Sequence, residues 1–177
     1  MTYASAIRYL DSFVDYEKIG FIPGGKSFDL DRMRSLARIF GNPADSFRSI
    51  HVAGTKGKGS TACFIANILK EAGFMTALYT SPHVEELRER FKVNQEMISR
   101  EDLTREISLI REKLTSRGLA FRPTFFEITT LIAFNYFRRK RVDYGVIEVG
   151  LGGRLDATNI IRPAVSVITP ISFDHMG

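Results

Sequence analysis

The sequence holds a single cysteine, Cys63, so no disulfide can form within the chain and a small disulfide-stapled fold is excluded. No apolar run approaches the ~20 residues that a membrane helix needs. The opening residues, MTYASAIRYLDSF, place an acid early and contain no apolar stretch, unlike a secretory signal. Internal repeats and low-complexity segments are absent. Basic charge is in modest excess, net +5; this favours anionic ligands in general and does not single out nucleic acid. The densest basic run, Arg138-Arg139-Lys140-Arg141, has no interleaved aromatic residues to stack on bases. It reads as solvated cations set against the C-terminal dipole of a helix. Together these features point to a cytoplasmic protein that engages neither a membrane nor nucleic acid. What is present is a hydrophobic fraction of 44%, spread along 177 residues, which can support the core of one ordinary domain.

Apolar residues recur at helical spacing from Tyr3 to Tyr16 (Ile7, Leu10, Phe13, Val14) and again from Asp29 to Phe40, where Gly41-Asn42-Pro43 closes the helix. Gly20 to Ser27 reads as loop. Ser49 to Ala53 is a short β-like run that enters Gly54-Thr55-Lys56-Gly57-Lys58-Gly59-Ser60 directly, and Thr61 to Ala72 then shows helical spacing. Met75 to Thr80 is a second strand. Ser81 to Ile98 has no clean period and many charges, and reads as a long loop. Ser99 opens a helix to about Arg117, with Asp102 as a weak capping-box partner. Thr124 opens another, with Glu127 completing a T-x-x-E box. Tyr144 to Val149 and Ala164 to Thr169 are strands of the buried type. Strands alternating with helices predict a parallel sheet covered on both faces.

The glycine run between a strand and a helix can aim successive backbone N–H groups at a phosphate, and the helix N-terminus adds partial positive charge. Lys58 would add a full charge toward the outer phosphates. The run is not a standard Walker loop: Gly59 stands between Lys58 and Ser60, and the spacing before Gly57-Lys58 is short. On these residues alone, a glycine-rich helix entry with no ligand stays open beside the nucleotide loop.

HVAGTKGKGST resembles the phosphate loop of the Mur ligase superfamily, in the G-T-x-G-K-G-S form of the folylpolyglutamate and dihydrofolate synthases. Four further segments match that family in order: YTSPHVEELRERFKVN (Tyr79 to Asn94), TFFEITTLIAF (Thr124 to Phe134), EVGLGGRLDATN (Glu148 to Asn159) and FDH (Phe173 to His175). A peptidoglycan Mur ligase is disfavoured by Gly59 and by the T-S-P-H segment. The resemblance implies a three-layer α/β P-loop-type domain with a mainly parallel sheet. Residues 1–177 would be the N-terminal part of that central domain, truncated on its C-terminal side and without the C-terminal glutamate-ligase domain.

The resemblance also implies ATP-dependent addition of L-glutamate to folate or dihydropteroate through an acyl phosphate, with Mg²⁺, in a monomeric enzyme. A catalytically inactive nucleotide-binding fragment is the rival. ATP would lie on Gly54, Thr55, Lys56, Gly57, Lys58, Gly59 and Ser60. Ser81, Glu148 and His175 would hold Mg²⁺, and Lys58, Glu148 and His175 would serve catalysis. The pterin would meet Thr124, Phe125, Phe126, Glu127 and Leu155, with Ser27, Phe28 and Asp29 as a weaker correspondence. Lys56 replaces the asparagine common in the family's loop. Thr124 and Glu127 suit a capping box equally well, and the phenylalanines suit a core.

Overall fold

The computed structural model describes residues 1–19, 29–117 and 121–172. The expected Gly20–Ser27 loop, Phe28 and the terminal Phe173 to His175 lie outside the described residues.

Alternation along the strands sorts side chains onto two faces of one sheet. The strands are β1 (Arg48–Ala53), β2 (Thr76–Tyr79), β3 (Phe91–Val93), β4 (Glu96–Met97), β5 (Tyr144–Glu148) and β6 (Val165–Ile168), in spatial order β4-β3-β2-β5-β1-β6. β2, β5, β1 and β6 run parallel, and β3 and β4 add an antiparallel edge. Ile50, Val52, Leu78 and Val146 face one way, onto Ala62 and Ala66 of α4 (Lys58–Glu71). Ala77, Tyr79 and Ile147 face the other way, into the larger core. That core is built with α1 (Tyr3–Asp11), α3 (Leu30–Ile39), α5 (Arg100–Arg117) and α6 (Phe125–Lys140). The result is the three-layer α/β arrangement with a mainly parallel sheet that the sequence predicts.

α6 is the central helix of the large layer. Every residue from Glu127 to Phe137 is buried, as befits a helix enclosed on all sides. Its start is fixed locally: the Glu127 N–H donates to Thr124 Oγ1 (3.1 Å), and the Thr124 N–H donates to a Glu127 carboxylate oxygen (2.6 Å). Asp29 caps α3 in the same manner, accepting from the Asp31 N–H at 2.8 Å. These caps satisfy backbone donors that a helix start leaves unpaired.

Three sequence expectations are corrected. The first helix stops at Asp11, because Val14 is drawn into a bridge with Thr124 and accepts the Phe125 N–H at 2.9 Å; helix resumes as α2 (Tyr16–Ile19). The long loop after Ser81 contains a 3-10 turn, Leu87–Arg90, and the β3–β4 hairpin. Its strands are too short to show a period, and Asn94 and Gln95 both take positive φ (48° and 72°) without the Asn-Gly signal that usually marks such a turn. The basic run at the end of α6 is not simply solvated. Arg139 pairs with Glu106 (2.8 Å) and Asp102 (2.9 Å), Lys140 with Asp102 (3.1 Å), and Arg138 donates to the Phe40 carbonyl at 2.7 Å. The acids lie on α5, beyond the reach of local reading.

Candidate functional site

β1 delivers the chain into the glycine loop at the C-terminal end of the sheet, where open α/β sheets bind ligands. Gly54 sits at φ +134°, and a Cβ there would lie 2.0 Å from Thr169 Oγ1 and 2.8 Å from the Thr169 carbonyl oxygen. Only glycine lets the loop leave β1 so close to β6. Thr55 is anchored by its N–H to the Pro170 carbonyl (3.2 Å) and by its hydroxyl to the Ser172 carbonyl (3.1 Å). Lys56 is exposed. Gly57 turns the chain at φ +79° and caps α4 without any side-chain hydrogen bond; the first turn of α4 holds no acid. α4 thus begins at Lys58, three residues before the predicted start. The N–H groups of its first turn, including those of Gly59 and Ser60, are left for an external acceptor. An uncapped N-terminus carrying Lys58 presents free backbone donors, partial positive charge and a cation, the features that favour an anion.

β5 ends in Glu148 beside this turn. Glu148 is 5% exposed, and one of its carboxylate oxygens accepts the Ser81 N–H at 3.1 Å. A Cβ on Gly59 would stand 3.3 Å from that carboxylate, so the glycine that breaks the Walker pattern is the residue that leaves room for Glu148. Burial pushes the Glu148 carboxyl above the usual carboxylate range, and the Ser81 N–H and the charges of Lys58 and Arg90 pull it back. Ser81 and Glu148 are therefore together, while His175 lies outside the described residues. Among the described residues no three His, Cys, Asp or Glu side chains gather to hold a metal. A carboxylate and a hydroxyl, completed by water and phosphate oxygens, nevertheless suit Mg²⁺, which keeps much of its hydration and binds through few carboxylates.

The predicted pterin side lies at the start of α6. Thr124 and Glu127 are occupied by their capping box, and Glu127 also pairs with Arg32 at 3.0 Å. Phe125 is buried. Phe126 is partly open and faces Tyr79 at 6.2 Å between ring centroids; a Cβ on Gly150 would stand 2.4 Å from its ring. Phe126 therefore touches the loop after Glu148. Leu155, in that loop, is 53% exposed. Asp29 caps α3, and Ser27 and Phe28 lie outside the described residues. The loop itself is held from below. Asp156, fully buried, accepts the Leu151 and Thr158 N–H groups at 2.9 Å each and the Thr158 hydroxyl, and Thr158 Oγ1 lies 2.8 Å from His51 Nε2 on β1.

Sequence reading missed Arg90, Glu17 and His83. Arg90 is 1% exposed, donates to Glu17 and to His83 Nδ1 (2.9 Å), and lies over the Phe125 ring at 5.3 Å. Its signal was a charged residue inside a patternless stretch, with an acidic partner 73 residues away.

Residues 52–177 match the family model of the Mur ligase middle domain. The folylpolyglutamate synthase of Lacticaseibacillus casei is 39% identical over 178 residues, covering 99% of this chain and 40% of the relative. The dihydrofolate synthase/folylpolyglutamate synthase of Bacillus subtilis is 42% identical, covering 90% of this chain and 37% of the relative. Among solved structures, an FPGS–AMPPCP–folate complex superposes with a TM-score of 0.89 at 38% identity, over 99% of this chain and 42% of that one. The folylpolyglutamate synthase of Thermotoga maritima gives 0.85 at 39% identity, over 97% and 38%. The chain spans about two fifths of the length of the relatives it matches. With its uncapped glycine loop and the carboxylate beneath Gly59, this chain belongs to the Mur ligase family, on the folylpolyglutamate synthase branch.

Proposed function

We propose that the protein carrying this chain is an ATP-dependent ligase that adds L-glutamate to a folate, as a tetrahydrofolylpolyglutamate synthase, a dihydrofolate synthase or both. The observation that carries the reading is the uncapped first turn of α4, with Lys58, set against a buried carboxylate that the Ser81 N–H holds in place. The relatives named as such ligases, and the complex holding AMPPCP and folate, support it.

In this reading the backbone N–H groups of Gly59 and Ser60 and the Lys58 ammonium bind the ATP phosphates. They neutralise charge that shifts as the γ-phosphoryl group moves to the folate carboxylate. Mg²⁺, when bound, supplies further charge neutralisation on the phosphates; Ser81, Glu148 and His175 would hold it. Phe126 and Leu155 would offer apolar surface to the pterin. The glutamate amine then attacks the carbonyl of the acyl phosphate, the C–O bond breaks and phosphate leaves, so water must be kept from that carbonyl; the apolar Phe126 and Leu155 side chains serve this end. The substrate groups need alignment more than covalent help from the protein.

The test is an assay of the intact protein that includes these residues, with ATP, Mg²⁺, glutamate and either tetrahydrofolate or dihydropteroate. ADP release that depends on both co-substrates, with a product heavier by one glutamyl residue, is expected. ADP release indifferent to folate and glutamate would overturn the assignment, and the preferred folate identifies the finer activity.

A further inference from the structure

We propose that Arg90 is a positioning residue for Ser81, fixing the loop from Thr80 to His83 against Glu148 by holding both of its flanks. The inference rests on the reading of Ser81 and Glu148 as part of the ligase site. On one flank, the Arg90 carbonyl accepts the Thr80 N–H at 3.3 Å. On the other, Arg90 Nε donates to His83 Nδ1 at 2.9 Å. Ser81 lies between these anchors and donates its own N–H to Glu148 at 3.1 Å. One residue of the 3-10 turn thus brackets the segment that presents Ser81.

The guanidinium is built in for this purpose. At 1% exposure its charge must be compensated. Both terminal nitrogens donate to the Glu17 carboxylate of α2, and the Phe125 ring covers the group at 5.3 Å. Because Arg90 donates to His83 Nδ1, the His83 proton is assigned to Nε2. The fork reaches an acid and an imidazole at once; a lysine ammonium on a single stem cannot reproduce that geometry. The neighbouring residue does the companion task. Glu89, whose carboxyl is held down to about 2 by these hydrogen bonds, accepts the N–H groups of Glu86 (2.7 Å), Val84 (2.8 Å) and Glu85 (2.8 Å). Glu89 therefore fixes the second half of the loop and Arg90 the first. The halves respond separately, which gives the proposal an internal control.

The experiment compares wild type, Arg90→Lys and Glu17→Gln in the intact protein. Amide hydrogen exchange is followed by NMR, and nucleotide binding is titrated with a fluorescent ATP analogue at several Mg²⁺ concentrations. In Arg90→Lys the Ser81 and His83 amides should exchange at least ~10-fold faster, with that of Thr80, whose acceptor is the backbone carbonyl of residue 90, and those of Val84 to Glu86 and of α6 unchanged. Mg²⁺-dependent affinity for the analogue should fall ~5-fold or more, a ~1 kcal/mol loss. Glu17→Gln, which keeps the shape and removes the counter-charge, should move the same amides in the same direction by less; it decides the matter if Arg90→Lys does not fold. Unchanged exchange at Ser81 and His83 overturns the proposal. So does faster exchange with unaltered Mg²⁺-dependent binding, and so does uniform acceleration across α6, which marks a general structural role. A wild-type protein without ligase activity refutes the functional reading instead and leaves the exchange result standing.

Discussion

His51 should make the fold sensitive to mild acid. It is 7% exposed on β1, and burial depresses its pKa from the usual 6.5 to about 4. Thr158 gives its hydroxyl proton to Asp156, so its oxygen is free to accept from His51, and the His51 proton belongs on Nε2. The folded state therefore binds fewer protons at this position than the unfolded chain between the two values. Stability from neutral His51 is complete above pH ~6.5 and is lost as pH falls through about 4. The gap between 6.5 and about 4, at ~1.4 kcal/mol per pH unit, amounts to about 3 kcal/mol. Burial raises the pKa of Glu106, Glu127, Glu148 and Asp156, and these contributions carry the opposite sign. Total stability thus mixes both, and the informative quantity is the difference between wild type and His51→Gln. The assay is urea unfolding followed by circular dichroism at low protein concentration, from pH 7.5 to 4. The wild-type advantage should be level near neutrality and shrink by about 3 kcal/mol across the acid window. A difference that stays flat from pH 6.5 to 4 would refute the reasoning.

Four other outcomes follow from the same geometry. Lys58→Ala in the intact protein should remove most ATP turnover, because the phosphates lose the loop's placed cation; turnover within about threefold of wild type, measured by ADP release, would count against its role. Glu148→Gln keeps the volume and loses the charge, so the Mg²⁺ requirement should rise far more than melting temperature falls; an unchanged Mg²⁺ titration would remove Glu148 from the ligands. Gly54→Ala forces a Cβ to within 2.0 Å of Thr169 Oγ1 at a φ of +134°, and should cost about 2–4 kcal/mol in thermal or urea unfolding. β6 leaves Val165 51% and Ile168 70% exposed, with Ile171 at 78% just beyond. An apolar edge strand invites association, so the 177 residues made alone should run as more than one species in size-exclusion chromatography at ~10 µM and above. A monodisperse monomer would contradict this.

The legible parts of the fold were those encoded within a few residues. Thr124 and Glu127 lie three apart, and their capping box appears as the sequence predicts. The strand–glycine–helix order at Ala53 to Ser60 is visible because a close-approaching backbone must use glycine. Gly59 could be noticed only as a deviation; its reason, the Glu148 carboxylate 3.3 Å from its would-be Cβ, lies on a different strand. The hairpin Phe91–Met97 escaped because three- and two-residue strands carry no period. The pairing of Arg139 with Asp102 and Glu106, of Arg90 with Glu17, and of His51 with Thr158 joins residues 33 to 107 positions apart. No composition or spacing rule reports such pairs.

Register explains why the site nevertheless assembles from segments that the sequence presents one by one. In the parallel core Val52 lies opposite Glu148, and Tyr79 lies opposite Ile147. β1, β2 and β5 therefore end level with one another, and Glu148, at the end of β5, comes against the Ser81 N–H beyond β2 and Gly59 in the loop after β1. The alternation that buries Val52, Leu78 and Val146 against α4 fixes that register. A slip of one residue would turn those side chains to the wrong face and carry Glu148 away from Gly59 and Ser81. The apolar pattern of the strands thus does two tasks: it makes the core, and by setting where the strands stop, it sets the distance between carboxylate, serine and phosphate loop.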